Sequence, residues 1–253
     1  MNWAGTWTLL YKEVRRFWSV FIQTVLAPVV TTLLYLLIFG HLLDEGGVQF
    51  DNLDYGTFLI PGLVMLTLMQ NAFSNSSSSL IQSKMHGNLT FILLSPLSPL
   101  EIYLAFVAAA IVRGLVVGLG VFVVGWLGYD LYWQSLAWVL VFAVLSAAVM
   151  GGLGLLAGIL SDKYDHLAAF QNFVVVPLTF LAGVFYSIHS LPPLWQQLSQ
   201  FNPFFYMVDG FRYGFFLHSD VSVWTSLAVT LSFLLVVSAI NLYLLVRGVK
   251  IKN

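Results

Sequence analysis

Six long apolar stretches, separated by short polar joints, organise this chain. They run over about 20–43, 57–80, 102–126, 135–160, 167–188 and 223–246. Crossing ~30 Å of hydrocarbon at ~1.5 Å per residue takes about 20 apolar residues in a helix. Each stretch meets that length, so the pattern predicts an all-α polytopic membrane protein with six transmembrane helices in a single domain, 1–253. Pro28 and Pro177 fall inside the first and fifth stretches. Proline removes an i→i−4 hydrogen bond, and a kink is expected at Pro28.

The chain before the first stretch has a different period. Trp3, Trp7, Leu10, Val14, Phe17 and Phe21 recur at spacings of three and four, and Lys12, Glu13 and Arg16 fall on the other side. Residues 1–19 therefore read as an amphipathic helix lying in the headgroup plane, anchored by Trp3 and Trp7 with Lys12 and Arg16 on its polar side. Between the last two stretches, 189–220 is aromatic and nearly uncharged, with Pro192, Pro193 and Asn202-Pro203 as breakers. Two short re-entrant helices are expected there, anchored by Trp195, Phe204, Phe205 and Tyr206.

The second stretch changes character midway, in "LMQNAFSNSSSSLIQSKMHGN", 68–88. On a helix Asn71, Asn75, Ser78, Ser79 and Gln82 share one face, with Gln70, Ser74 and Ser77 beside them and a narrower apolar stripe at Met69, Phe73 and Leu80. Amides turned toward acyl chains would lack hydrogen-bond partners, so this face must meet other helices or water. Arg113, near the middle of the third stretch, costs at least ~2.5 kcal/mol at that depth unless paired or hydrated. Gln70, Asn71, Asn75 and Arg113 are the candidates for a pathway lining or, equally, for a polar clamp between spans two and three. The small-residue steps Gly114/Gly118, Ala147/Gly151 and Gly154/Gly158 point to close helix packing within one bundle.

Composition narrows the picture without redirecting it. Hydrophobic residues make up 59% and charged residues 8%, too few charges to coat a soluble surface of this size. No basic block exists to hold nucleic acid, and with no cysteine there is no thiolate metal site or disulfide framework. No GxxxxGK[ST], HExxH or GxSxG occurs, so ATP hydrolysis, zinc catalysis and serine hydrolysis by this chain are not expected; no cofactor or metal is expected on it. Eight of the ten Lys and Arg (Lys12, Arg15, Arg16, Lys84, Lys163, Arg247, Lys250 and Lys252) fall on one side of the six-span layout. Asp44, Glu45, Asp51, Asp54 and Asp130 fall on the other with Arg212, which puts both termini in the cytoplasm.

The order of these features resembles the ABC-2 type transmembrane subunits of ATP-binding-cassette transporters, in particular their YadH-like bacterial permeases. The likeness covers nearly the whole chain. It is carried by "LAPVVTTLLYLLIFG", "FLIPGLVMLTLMQNAFSNSSSS", "GNLTFILLSPLSPLEI" and above all "PLTFLAGVFYSIHSLPPLWQQLSQFNPFFYMVDGFRYGF". The resemblance implies a permease subunit, not an enzyme, of an exporter in the bacterial inner membrane. It implies a homodimer served by two copies of a separate ATPase chain, which would carry ATP and Mg. The segment 81–100 would hold a coupling helix at about 83–94, touching the ATPase through Lys84, His86, Gly87, Asn88 and Phe91. Thr90 and Phe91 stand where the family usually has Glu, so basic and apolar contacts would replace acidic ones. Phe185, Trp195, Asn202, Pro203 and Phe204 would form the external gate. An intramembrane lipid-modifying enzyme and a non-transporting membrane subunit are the alternatives.

Overall fold

The computed structural model describes residues 2–40, 49–50, 53–129 and 131–248. Asp44, Glu45, Asp51, Asp130, Lys250 and Lys252, on which part of the charge argument rests, lie outside the described residues. So does the end of the first predicted span, 41–43.

Helix α1 (Trp3–Trp18) starts where the Asn2 side chain accepts the Gly5 N–H, and ends with Arg15 and Arg16 in its last turn, where cations complement the helix dipole. After a two-residue joint, α2 (Phe21–Tyr35) continues through a π-turn over Leu36–Gly40. The short antiparallel pair β1 (Gln49–Phe50) and β2 (Leu53–Asp54) leads into α3 (Tyr55–Met85). Then come α4 (Leu89–Leu94), α5 (Pro99–Gly128) and α6 (Leu136–Leu160). Next, α7 (Tyr164–Phe170), a π-turn over Gln171–Val175 and α8 (Val176–Phe180) run on without a break. The chain closes with α9 (Pro193–Gln200), α10 (Pro203–Phe216) and α11 (Val223–Arg247).

Helix α3 is the axis of the bundle. Of its most apolar window 83% is buried, against 22% for α2 and 17% for α11, so α3 is wrapped by protein while the other two present apolar faces outward. Leu59, Ile60, Leu63, Met65, Leu68, Met69 and Phe73 are all fully buried around it, against α5, α6 and α10. The small residues of α6 make this approach possible. A Cβ at Gly154 would collide with the Phe73 carbonyl, and one at Gly158 would stand 3.0 Å from Leu80 Cβ. Gly114 of α5 faces Leu68 O at 3.1 Å by the same measure. The small-xxx-small steps therefore serve packing within one chain, as the spacing predicts.

Among the described residues five helices are long and apolar enough to cross a membrane: α2 with part of its π-turn, α3, α5, α6 and α11. Their bounds follow the predicted stretches to within a few residues. The fifth predicted stretch differs. Its helical path, in pieces of seven, five and five residues, ends at Phe180, well before Ile188, and falls just short of a full crossing. Gly183, at φ +76°, turns the chain there.

A second correction concerns α1. The spacing assigns Glu13 to an outward polar side, yet Glu13 is completely buried, along with Leu9 and Phe17. Phe21 belongs to α2, not to the apolar face of α1. The physical cause is docking: α1 packs chiefly along α5 while Arg16 reaches on to Asn75 and Ser78 of α3, which turns Glu13 inward and leaves Trp3 and Trp7 outside, 71% and 67% exposed.

Candidate functional site

Two polar centres lie at opposite ends of α3. The first surrounds its serine- and asparagine-rich second half. Arg16 of α1 reaches into it, donating from Nη2 to Asn75 O at 2.7 Å and Oδ1 at 3.3 Å, and from Nη1 to Ser78 Oγ at 3.2 Å. Its Nε donates to Glu13 Oε2 at 3.4 Å, and Lys12 Nζ holds Glu13 Oε1 at 2.8 Å. A buried carboxylate thus carries two cations, and one of them clamps span two. About a helical turn away, Arg113 of α5 donates from Nη2 to Asn71 Oδ1 at 3.2 Å, while Asn71 Nδ2 donates to Thr67 O at 3.0 Å. Among the described residues no carboxylate pairs with Arg113, and its Nε has no partner.

These contacts divide the predicted lining residues. Gln70, Asn71 and Arg113 are half-buried. Asn75 is fully buried and clamped by Arg16. Ser76, Ser77 and Ser79 are likewise buried, and Ser76 Oγ donates to Phe106 O at 3.4 Å. The serine run is packing surface at Ser76, Ser77 and Ser79, with Ser74 and Ser78 half-buried beside it.

Below this centre α3 ends and the chain turns at Gly87, whose φ of +72° is a left-handed conformation that glycine adopts without strain. The six-residue α4 follows, with Leu89 buried and Phe91 and Leu94 74% and 77% exposed. Asn88 precedes α4, and His86 Nδ1 donates to Gln82 O at 2.8 Å. Lys84 faces the other way. Its Nζ donates to Ile159 O at 2.6 Å and Ser161 O at 3.0 Å, capping the carbonyl end of α6. The structure thus groups His86, Gly87, Asn88 and Phe91 around one turn and commits the Lys84 ammonium to the bundle. Glu101 completes this end. It closes a capping box with Ser98 at the start of α5, and also accepts the backbone N–H of Asn2.

The second centre, at the start of α3, was only partly visible in the sequence. Arg212 of α10 is buried, donates from Nη2 to Gly183 O at 2.8 Å and Val184 O at 3.4 Å, and lies 4.0 Å over the Phe58 ring. Tyr55 donates to Phe185 O at 2.8 Å. Asp209, also buried, accepts from Asp220 N at 2.8 Å and from Ser226 Oγ at 3.1 Å; the Asp220 carboxylate accepts from Ser187 Oγ and Ile188 N. Burial pushes the Asp209 carboxyl up to about 6, against the opposing pull of the Asp220 N–H. Together these groups pin the turn after α8 and the loop before α11 onto α10.

Of the predicted gate residues, Phe185 stacks among Tyr35, Phe39 and Phe180, with ring centroids 5.6–6.1 Å apart. Asn202 caps α10 by accepting the Phe204 N–H, and ties it to α8 by donating to Leu178 O at 2.6 Å. Pro203 opens α10 at its first position, where a missing N–H costs nothing. Phe204 is buried in the core, and Trp195 stands half out of α9, apart from Phe185. Glu13, Glu101, Tyr55, Asp209 and Asp220 were not singled out as site residues from sequence. Asp209 and Arg212, charged residues three apart in "YMVDGFRYGF", were the available signal.

Comparison with known proteins agrees with this architecture. Residues 4–216 match the family model described as ABC-2 type transporter. The chain is 35% identical over 248 residues to "Inner membrane transport permease YadH" of Escherichia coli K12, covering 98% of this chain and 97% of that one. It is 24% identical over 215 residues to "Nodulation protein J" of Rhizobium leguminosarum bv. viciae, covering 84% and 81%. A family match over most of the length, joined to apolar spans around a buried polar helix, identifies the chain as a transport permease of the ABC-2 type transporter family.

Proposed function

We propose that this chain is the membrane subunit of an ATP-binding-cassette exporter, forming a homodimeric pathway driven by two copies of a separate cytoplasmic ATPase that carries ATP and Mg. ABC-2 permeases generally pair with an ATP-binding subunit. Residues 164–180 supply the sixth crossing, completed by the turn at Gly183 and by the neighbouring subunit. Both termini are cytoplasmic in the inner membrane. Helix α1 lies in the inner headgroup layer, α4 is the coupling helix, and α9 and α10 dip into the outer leaflet as the gate.

The observation that carries this reading is the tip of α4. An exposed Phe91 on a single short helix, set by Gly87 and backed by buried Leu89, is a projecting apolar knob of the kind that fits a groove on a partner. Beside it, α3 joins the knob to the open polar side at Gln70 and Asn71, so displacement of α4 bears directly on the helix that lines the path. Nucleotide-driven closure of the ATPase dimer would shift the bundle between inward- and outward-open arrangements. Apolar walls with a polar, nearly uncharged opening suit an amphiphilic substrate.

The test is co-expression with a candidate P-loop ATPase of the ATP-binding-cassette type, followed by co-purification and reconstitution. The reading expects a stable complex whose ATP turnover responds to an amphiphile, and Phe91→Ala to weaken the complex about tenfold or more with the bundle intact. A chain that purifies alone and leaves that ATPase unaffected would refute it.

A further inference from the structure

A cavity of about 380 Å³ opens between α1, the end of α3 and α4, lined by Lys12, Arg16, Ser79, Gln82, Asn88 and Phe91 among others. Two observations set it apart from an ordinary crevice. The first is charge. Lys12 and Arg16 share the single Glu13 carboxylate, so one positive charge is left over beside the cavity. Lys12 Nζ has donors to spare, since one acceptor is recorded for a group with three N–H bonds. The second is Ser79. It is 1% exposed, it lines the cavity, and its Oγ has no hydrogen-bond partner among the described residues. A buried hydroxyl left unsatisfied costs free energy, and here it borders a space large enough to hold an acceptor.

We propose that this cavity binds a phosphate-bearing group at the membrane surface, the headgroup of an anionic lipid, with Lys12 and Arg16 supplying charge and Ser79 a hydroxyl donor. The neighbouring Asn88 and Gln82 amides are donors for further phosphate oxygens. The location fits a lipid. Trp3 and Trp7 of α1 are exposed as interfacial anchors, and Phe91 and Ile92 give the cavity an apolar rim. Because the rim belongs to α4, an occupant would touch the same short helix that the proposed ATPase contact uses.

The test is a titration of the full-length chain, purified in an uncharged detergent, with short-chain phosphatidic acid, using phosphatidylcholine of the same chains as the comparison and inorganic phosphate as a competitor. Wild-type protein should bind phosphatidic acid saturably. Ser79→Ala and Lys12→Gln should each weaken it about tenfold, the scale of one hydrogen bond to a charged group. Arg15→Gln removes an equal charge from the exposed side of α1 and should stay within about twofold. Competition by inorganic phosphate would show that the cavity reads the phosphate itself; its absence, with the Ser79 effect intact, would show that the lipid portion is needed. Both outcomes uphold the site. Absence of saturable binding, or binding by Ser79→Ala within about twofold of wild type, would overturn it. So would equal weakening by Arg15→Gln and Lys12→Gln, the mark of general charge attraction. Ser79→Ala also has a readout independent of binding, because relieving an orphan hydroxyl should leave the lipid-free protein as stable as wild type or more so.

Discussion

Two arginines approach the polar face of α3, and the structure assigns them different work. Arg113 makes one hydrogen bond, 3.2 Å to Asn71, and leaves Nε unpaired. Replacing it with leucine removes a half-buried charge and its one hydrogen bond, and the Asn71 amide left behind is itself only half-buried, so Arg113→Leu should unfold within about 2 kcal/mol of wild type. Arg16 makes four contacts, to Glu13, Ser78 and both oxygens of Asn75, with its side chain 25% exposed. Arg16→Leu leaves the buried Glu13 with Lys12 as its one remaining ion-pair partner and should cost ~3–5 kcal/mol. Thermal unfolding in detergent, followed by size-exclusion fluorescence, separates the pair. Arg113→Leu should assemble normally and, in proteoliposomes with the partner ATPase, lose transport. Arg16→Leu should lose the folded species. Equal destabilisation by both would refute the division and make Arg113 a clamp.

Other outcomes follow from the same geometry. Gly154→Ala drives a methyl into the Phe73 backbone and should cost upward of ~3 kcal/mol and prevent assembly, while Gly128→Ala, with nothing within 4 Å, should express like wild type. The Asp209 carboxyl, raised to about 6 from 3.8, is more readily protonated when folded. Its contribution to stability is therefore fully present below about pH 4 and is lost as pH rises through about 6, by at most ~3 kcal/mol. Asp209→Asn should flatten that part of the stability–pH curve, and an unchanged curve would contradict the burial argument.

Much of this was legible in the sequence. Five helices long and apolar enough to cross a membrane, a separate helix before the first of them, the break at Asn202-Pro203 and the sheltering of the polar face of span two all follow from period, length and the cost of bare amides in hydrocarbon. Reading Arg113 as a neighbour of the span-two amides was also possible, because its depth matches theirs. What stayed hidden depends on which helix docks against which. Local spacing puts Glu13 on a polar stripe, which in isolation means solvent; the docking of α1 along α5, with Arg16 reaching Asn75 and Ser78, turns that stripe inward. Lys84 reads as a surface cation at the foot of a span, and the α6 carbonyls that capture it are some 75 residues away in sequence. Asp209 and Arg212 look like an i,i+3 ion pair, yet each binds backbone or hydroxyl groups of other segments instead. The shortening of the fifth apolar stretch is hidden for another reason: hydropathy continues past Phe180, and a glycine turn ends the helix first.

The central claim is that α3 turns one polar edge, at Gln70 and Asn71, to an aqueous path while Asn75 is sealed by Arg16. The chain has no cysteine, so single cysteines can be placed at 70, 71 and 75 without background. The decisive measurement is their rate of reaction with a charged, membrane-impermeant thiosulfonate in reconstituted protein. The account expects fast modification at 70 and 71, altered by nucleotide on the partner ATPase, and none at 75. Reaction at 70 and 71 with lipid-soluble reagents alone would contradict it.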